Sequence, residues 1–82
     1  MNSTATPIIY STDWCGYCKM AKQYLDQKGV EYVEKNIEQD KAAHDELMAK
    51  IDNDFRGVPV IDIGGKIILG FDRPGIDAAL SQ

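Results

Sequence analysis

The sequence predicts an α/β domain built on one mixed four-stranded sheet with three helices on its faces, in the order β-α-β-α-β-β-α. Three observations carry that prediction. Two strand-like runs, Ile8-Ile9-Tyr10 and Val30-Glu31-Tyr32-Val33, flank a stretch whose apolar residues recur at helical spacing, as in a parallel strand pair joined by a helical crossover. Gly64-Gly65 separates two short β-favouring runs and signals a tight antiparallel hairpin. Between the first strand and the first helix stand Cys15 and Cys18, the only cysteines in the chain.

Taken in order, residues 7–11 hold Ile8, Ile9 and Tyr10, a run that fits a buried strand. Thr12-Asp13-Trp14 forms a loop leading to Cys15. Tyr17, Ala21, Tyr24, Leu25 and Lys28 then mark a helix, widened on its apolar face by Met20 and stopped by Gly29, with Lys19, Lys22 and Gln23 toward solvent. Alternation over residues 30–37 predicts the second strand. Asp40 caps a helix reaching Ile51, with Ala43, Leu47, Met48 and Ile51 facing inward. Phe55-Arg56-Gly57 forms a loop before a strand at 58–63 that carries proline at its start, and residues 66–69 pair with it across the glycines. Pro74 suits the first position of a last helix, whose buried stripe is Ile76, Ala79 and Leu80.

With 82 residues, the chain suits one domain at 7–82, preceded by a loose flexible tail at 1–6. Apolar residues make up 44% of the chain, in no run near the roughly 20 needed to span a bilayer, so a soluble protein with no membrane partner is expected. The net charge of −4 comes from 13 acidic and nine basic residues that are scattered, which argues against a nucleic-acid surface. No secretory signal is visible at the N-terminus, and two cysteines are too few for a secreted disulfide framework. A cytoplasmic protein with a catalytic or metal-binding cysteine pair is the expectation.

The C-x-x-C spacing at a helix start points to redox chemistry. With Cys15 at the first turn and Cys18 one turn on, both sulfurs share a face and can close a small disulfide ring. Unpaired backbone N–H groups and the helix dipole favour a thiolate at Cys15, and cysteines in such sites titrate at about 3.5–7.5 instead of about 8.5. Cys15 is therefore the expected nucleophile and Cys18 the resolving sulfur. Trp14 and Tyr17 beside them offer flat amphipathic surface for substrate, or else are ordinary packing aromatics. Lys19 would support a thiolate and Asp13 would oppose it. A structural zinc site needs four ligands, whereas the chain has no third cysteine and a single histidine, His44, which fits a solvated helix position; no metal site is expected. Gly64-Gly65 is a turn and not a phosphate cradle, because no helix follows it directly.

Trp14-Cys15-Gly16-Tyr17-Cys18 after the first strand, Val58-Pro59 opening the third, and Gly70-Phe71-Asp72 after the fourth together resemble glutaredoxins, of the thioredoxin fold. The resemblance covers about residues 7–80. It implies a thiol–disulfide oxidoreductase that reduces protein or glutathione mixed disulfides, acts as a monomer, takes glutathione as co-substrate and holds no tightly bound cofactor. It also implies a cis bond before Pro59 that presents the Val58 backbone beside Cys15. In the glutathione-binding loop that begins at Gly70, the backbone of Phe71 and Asp72 would receive the γ-glutamyl carboxylate, with the Asp72 side chain available to the ammonium group. Thr12 stands where many glutaredoxins have a lysine that pairs with a glutathione carboxylate, Gly57 replaces the usual threonine before Val-Pro, and Leu69-Gly70 replaces a Gly-Gly pair. Arg56 is a second candidate partner for a carboxylate, since its fork suits bidentate pairing.

Phe55-Arg56-Gly57-Val58-Pro59 and Gly70-Phe71-Asp72-Arg73-Pro74 also resemble the small glutaredoxin-like donors of ribonucleotide reductase, which thioredoxin reductase recharges. Glutathione or thioredoxin reductase is therefore the expected reductant, and disulfide-containing proteins, ribonucleotide reductase among them, the expected clients. The alternative is a glutathione-dependent dimer carrying an iron–sulfur cluster, with which Gly16, in place of the commoner proline, is compatible.

Overall fold

The computed structural model describes residues 6–55 and 57–81. Most of the expected tail, residues 1–5, and Arg56 lie outside the described residues. The elements run β1 (Ile8–Ser11), α1 (Gly16–Gln27), β2 (Val33–Asn36), α2 (Lys41–Lys50), β3 (Val60–Ile63), β4 (Lys66–Leu69) and α3 (Arg73–Leu80). They form one four-stranded sheet in the order β2-β1-β3-β4, with β1 parallel to β2 and antiparallel to β3, and β3 antiparallel to β4. The mixed sheet and the order of its elements are as expected. No helix of the described residues is long and apolar enough to cross a membrane.

Side chains alternate across a strand, so β1 and β3 each feed two cores. Ile9, Ile61 and Ile63 pack with Ala21 and Leu25 of α1 and with Ile76 and Ala79 of α3. Tyr10 and Val60 pack on the opposite face with Ala43 and Leu47 of α2. All of β3 is buried, as a strand covered by helices on both faces must be. At the hairpin Gly64 and Gly65 have φ of +59° and +94°, a left-handed pair that side chains tolerate poorly. Asp40 caps α2 as expected, accepting from the N–H groups of Ala42 and Ala43 at 3.0 and 3.3 Å.

Three expectations are corrected. The strand expected over 30–37 shrinks to Val33–Asn36, because Val30 and Tyr32 pack as coil against the α1/α3 core, and the ladder opens only where Val33 N–H donates to Pro7 O at 2.8 Å. The strand expected from Val58 begins at Val60: proline has no N–H to give, and Pro59 O instead accepts from Gly70 N–H at 2.9 Å. Met20 does not widen the buried face of α1, being 46% exposed.

A polar cluster ties α2 to three strands. Lys50 Nζ donates to Asp62 at 2.5 Å and to the Tyr10 hydroxyl at 2.7 Å; that hydroxyl donates to Glu46, which Lys35 also meets at 3.0 Å. Burial works to lower the Lys50 pKa, but the bonds to Asp62 and Tyr10 outweigh it and hold the ammonium above its ordinary range. On the other face, the Tyr24 hydroxyl donates to Asp77 at 2.6 Å and its ring meets Phe71 edge-on at 5.9 Å, joining α1, α3 and the segment between β4 and α3.

The Tyr10 hydroxyl first, and Lys35 second, hold the Glu46 carboxyl below its ordinary 4.5. A carboxyl whose folded pKa is depressed contributes stability that is present above its unfolded pKa and lost as pH falls through the folded one. Glu46→Gln is therefore expected to lower the thermal midpoint at neutral pH, with the gap from the parent protein closing on acidification below both values; thermal melts across that pH range measure it.

Candidate active site

The site forms where β1 ends and α1 begins. Cys15 is the N-cap of α1, in extended backbone conformation, and its Sγ accepts the Cys18 N–H at 3.1 Å. The two cysteines form a disulfide with their Cα atoms 5.2 Å apart. Cys15 is 5% exposed and Cys18 1%, so the expected nucleophile is the more accessible residue of a largely shielded pair. The amide that holds Cys15 Sγ belongs to the first turn, whose N–H groups have no helical partner and favour negative charge on that sulfur when the bond is reduced.

The loop before Cys15 is held by the turn between β2 and α2. Asp13 accepts from Asn36 Nδ2 at 2.8 Å and from Gln39 Nε2 at 2.7 Å, while Asn36 Oδ1 accepts the Glu38 and Gln39 N–H groups at 2.9 and 3.2 Å. The Trp14 indole donates to Glu38 at 3.0 Å. Trp14 and Tyr17 are 72% and 63% exposed, so neither is a packing aromatic. Lys19 is exposed too.

Thr12, Trp14 and Val58 share one groove of about 240 Å³, completed by Ile37, Glu38, His44, Phe55 and Gly57. Val58–Pro59 is cis, as the resemblance implied, and Pro59 O holds the Gly70 N–H at 2.9 Å, joining that segment to the one after β4. Phe71 lies elsewhere: with Met20, Gln23, Tyr24, Gln27 and Arg73 it lines a separate groove of about 400 Å³. Of the expected binding residues, Trp14 and Val58 line the first groove and Phe71 the second, while Tyr17 lines a third hollow with Gly16 and Met20; the Pro59–Gly70 bond joins the Val58 and Phe71 segments.

Asp72, expected as a ligand for an ammonium group, is also the N-cap of α3, accepting the Gly75 N–H at 3.3 Å. A Cβ on Gly75 would come within 2.7 Å of Asp72 Oδ2, so the cap depends on that glycine. Asp followed by proline within the first turn is a helix-start signal legible in the sequence. Asn36, whose side chain accepts from the Glu38 and Gln39 N–H groups just after it, is a turn signal legible in the same way. Nothing local marks Glu38, which lies 24 residues from Trp14 in the chain.

The family model named Glutaredoxin matches residues 8–68. An uncharacterised glutaredoxin-like 8.6 kDa protein in the rubredoxin operon of Clostridium pasteurianum is 38% identical over 74 residues, covering 90% of this chain and 96% of its own. A thioredoxin-like protein of known crystal structure superposes with a TM-score of 0.82 at 26% identity, over 93% of this chain and 95% of its own, so the fold is thioredoxin-like. The buckwheat glutaredoxin–glutathione complex superposes with a TM-score of 0.72 at 30% identity, over 92% of this chain and 72% of its own.

Asp13 stands two residues before the cysteine pair and is held by neutral amides, which position its charge without cancelling it. A nearby carboxylate opposes a thiolate. Asp13→Asn is expected to favour the dithiol and make the reduction potential less negative by up to about 20 mV, the equivalent of an exposed charge interaction. Equilibration in dithiothreitol redox buffers reads the shift, and an unchanged potential would leave Asp13 a loop-holding role only.

Proposed function

This chain belongs to the glutaredoxin family, a family of thiol–disulfide oxidoreductases, and from that premise we propose that it reduces protein disulfides and glutathione mixed disulfides through Cys15 and Cys18. The observation that carries the reading is the Cys15 sulfur at the N-cap of α1, bonded to the Cys18 N–H within the Cys15–Cys18 ring.

The reaction proceeds in two exchanges. Cys15 thiolate attacks one sulfur of the substrate disulfide, forming a mixed disulfide and expelling the other sulfur as a thiolate that takes up a proton. Cys18, as thiolate, then attacks Cys15 Sγ and releases the second substrate thiol. Two electrons have passed to the substrate, and the protein is left with the Cys15–Cys18 disulfide. Two glutathione molecules, or thioredoxin reductase, return the pair to the dithiol.

Trp14 and Tyr17 give the substrate apolar surface beside the sulfurs, and the Val58 backbone offers strand-like pairing. Gly70, Phe71, Asp72 and Arg56 are proposed to receive the glutathione end of a mixed disulfide. The glutathione complex of the buckwheat relative supports glutathione as a co-substrate. Ribonucleotide reductase is a proposed client, and a monomer the proposed acting form, through the resemblance alone; action in the cytoplasm fits the sparing use of cysteine.

Cys15→Ser is expected to abolish disulfide reduction, whereas Cys18→Ser should keep part of the activity on glutathione mixed disulfides, which need one sulfur only. Activity surviving in the Cys15→Ser protein would transfer the nucleophile's role elsewhere. The reduction potential is expected between about −270 and about −200 mV, bracketed by thioredoxin and glutaredoxins. NADPH consumption with glutathione plus glutathione reductase, set against thioredoxin reductase, identifies the reductant: turnover with the first alone assigns the tripeptide site, and with the second alone makes the same surface a protein-docking face.

A further inference from the structure

The groove beside the dithiol carries two features that the exchange chemistry does not use. Its walls are apolar, formed by Trp14, Ile37, Phe55 and Val58, and Thr12 lines it as well. Thr12 Oγ1 is buried with no hydrogen-bond partner, the one buried side-chain oxygen or nitrogen in that condition among the described residues. A hydroxyl enclosed to that degree is shut off from an occupant as well as from water, so what the groove offers a bound segment is its apolar wall.

The second feature is charge. Glu38 is the single carboxylate among the described residues lining the groove, and its hydrogen-bond partner is the neutral Trp14 indole. No described cation forms an ion pair with it; His44, the other titratable side chain of the lining, sits 3.5 Å from Asp45 instead. Asp13, on the other side of Trp14 in the chain, is likewise held by neutral amides. An apolar groove with a carboxylate at its rim that no described cation pairs complements a segment that is apolar with a neutral or basic neighbour, and disfavours one ending in a carboxylate.

Building on the disulfide-reductase reading, we propose that Glu38 sets substrate charge preference: the groove takes the apolar residue beside the reacting cysteine of a peptide disulfide, and Glu38 selects neutral or basic flanks over acidic ones. Glutathione adducts, which bring carboxylates of their own, then rank below basic peptide disulfides as substrates.

The test uses three amidated peptides, Cys-Leu-Lys, Cys-Leu-Gln and Cys-Leu-Glu, each disulfide-linked to the same chromogenic thiol and mixed with the reduced protein under single turnover, so that no recycling enzyme enters. At low ionic strength the lysine peptide is expected to react about two- to five-fold faster than the glutamate peptide, the size of an exposed charge interaction, with the ratio shrinking as salt is added. Glu38→Gln, which keeps an acceptor for the indole, should bring the ratio to near one, and Glu38→Lys should invert it. Exchanging leucine for serine should slow all three peptides alike. A ratio unchanged in Glu38→Gln, or a flat series in the parent protein, overturns the role of Glu38 while leaving the reductase reading standing. Failure of the reduced parent protein to react with any of the three overturns the reductase reading and this proposal with it.

Discussion

One hydrogen bond, from the Cys18 N–H to Cys15 Sγ, joins the architecture to the chemistry. At most helix starts an oxygen of Ser, Thr, Asp or Asn takes that N–H. Here sulfur does, so the group that ends the loop and begins α1 is also the group that reacts. Any displacement of the start of α1 would therefore move the sulfur and its donor together. Opening the disulfide leaves the same donor in place to meet the thiolate, which makes the helix start preorganised for the reduced state as well as the oxidised one.

That arrangement holds only if β1 delivers the chain to one spot, and the two-faced burial of β1 does this. Ile9 is committed to the α1/α3 core and its neighbour Tyr10 to the α2 core, both fully buried. A slip of one residue would exchange them and drive the Tyr10 hydroxyl, bonded to Glu46 and Lys50 in the native register, into an apolar layer. Register in β1 thus fixes where Ser11 ends the strand, and the turn at Asn36 to Gln39 holds the rest of the loop up to Cys15. The grooves are walled by elements that this register sets in place: the one at Trp14 by the β2–α2 turn and the Val58 segment, the one at Phe71 by the outer face of α1 and the segment after β4.

What was legible in the sequence is what local geometry decides. The C-x-x-C ring, the Asp40 cap and the Gly64-Gly65 hairpin each depend on residues a few positions apart, and each forms as expected. The second strand was overextended because Val30 and Tyr32 alternate like strand residues yet are held by packing against α1 and α3, a tertiary contact that no local pattern encodes. Asp72 shows a different gap. The resemblance suggested a ligand and the sequence reading used Pro74 alone to start the last helix, whereas the structure makes Asp72 the N-cap of α3. The cis bond at Pro59 was reachable through the resemblance alone, and the Trp14–Glu38 bond through neither route, since it joins the loop before α1 to the β2–α2 turn, 24 residues on.

The carboxylates around the loop bear on how reactive the dithiol should be. A helix N-terminus alone drives a cysteine far toward thiolate, but a thiolate that forms very readily is also a weaker nucleophile, and attack is fastest for a thiol that ionises near the ambient pH. Asp13 and Glu38 push in the opposite direction to the helix, and both are held by neutral donors, so their positions are secured without loss of charge. Lysines in those roles would hold the loop equally well but would add to the pull of the helix. Amides and an indole hold it while leaving the two influences opposed, an arrangement that suits a reductant, which must keep its thiolate nucleophilic, better than an oxidant, whose strength comes from a thiolate stabilised beyond easy attack.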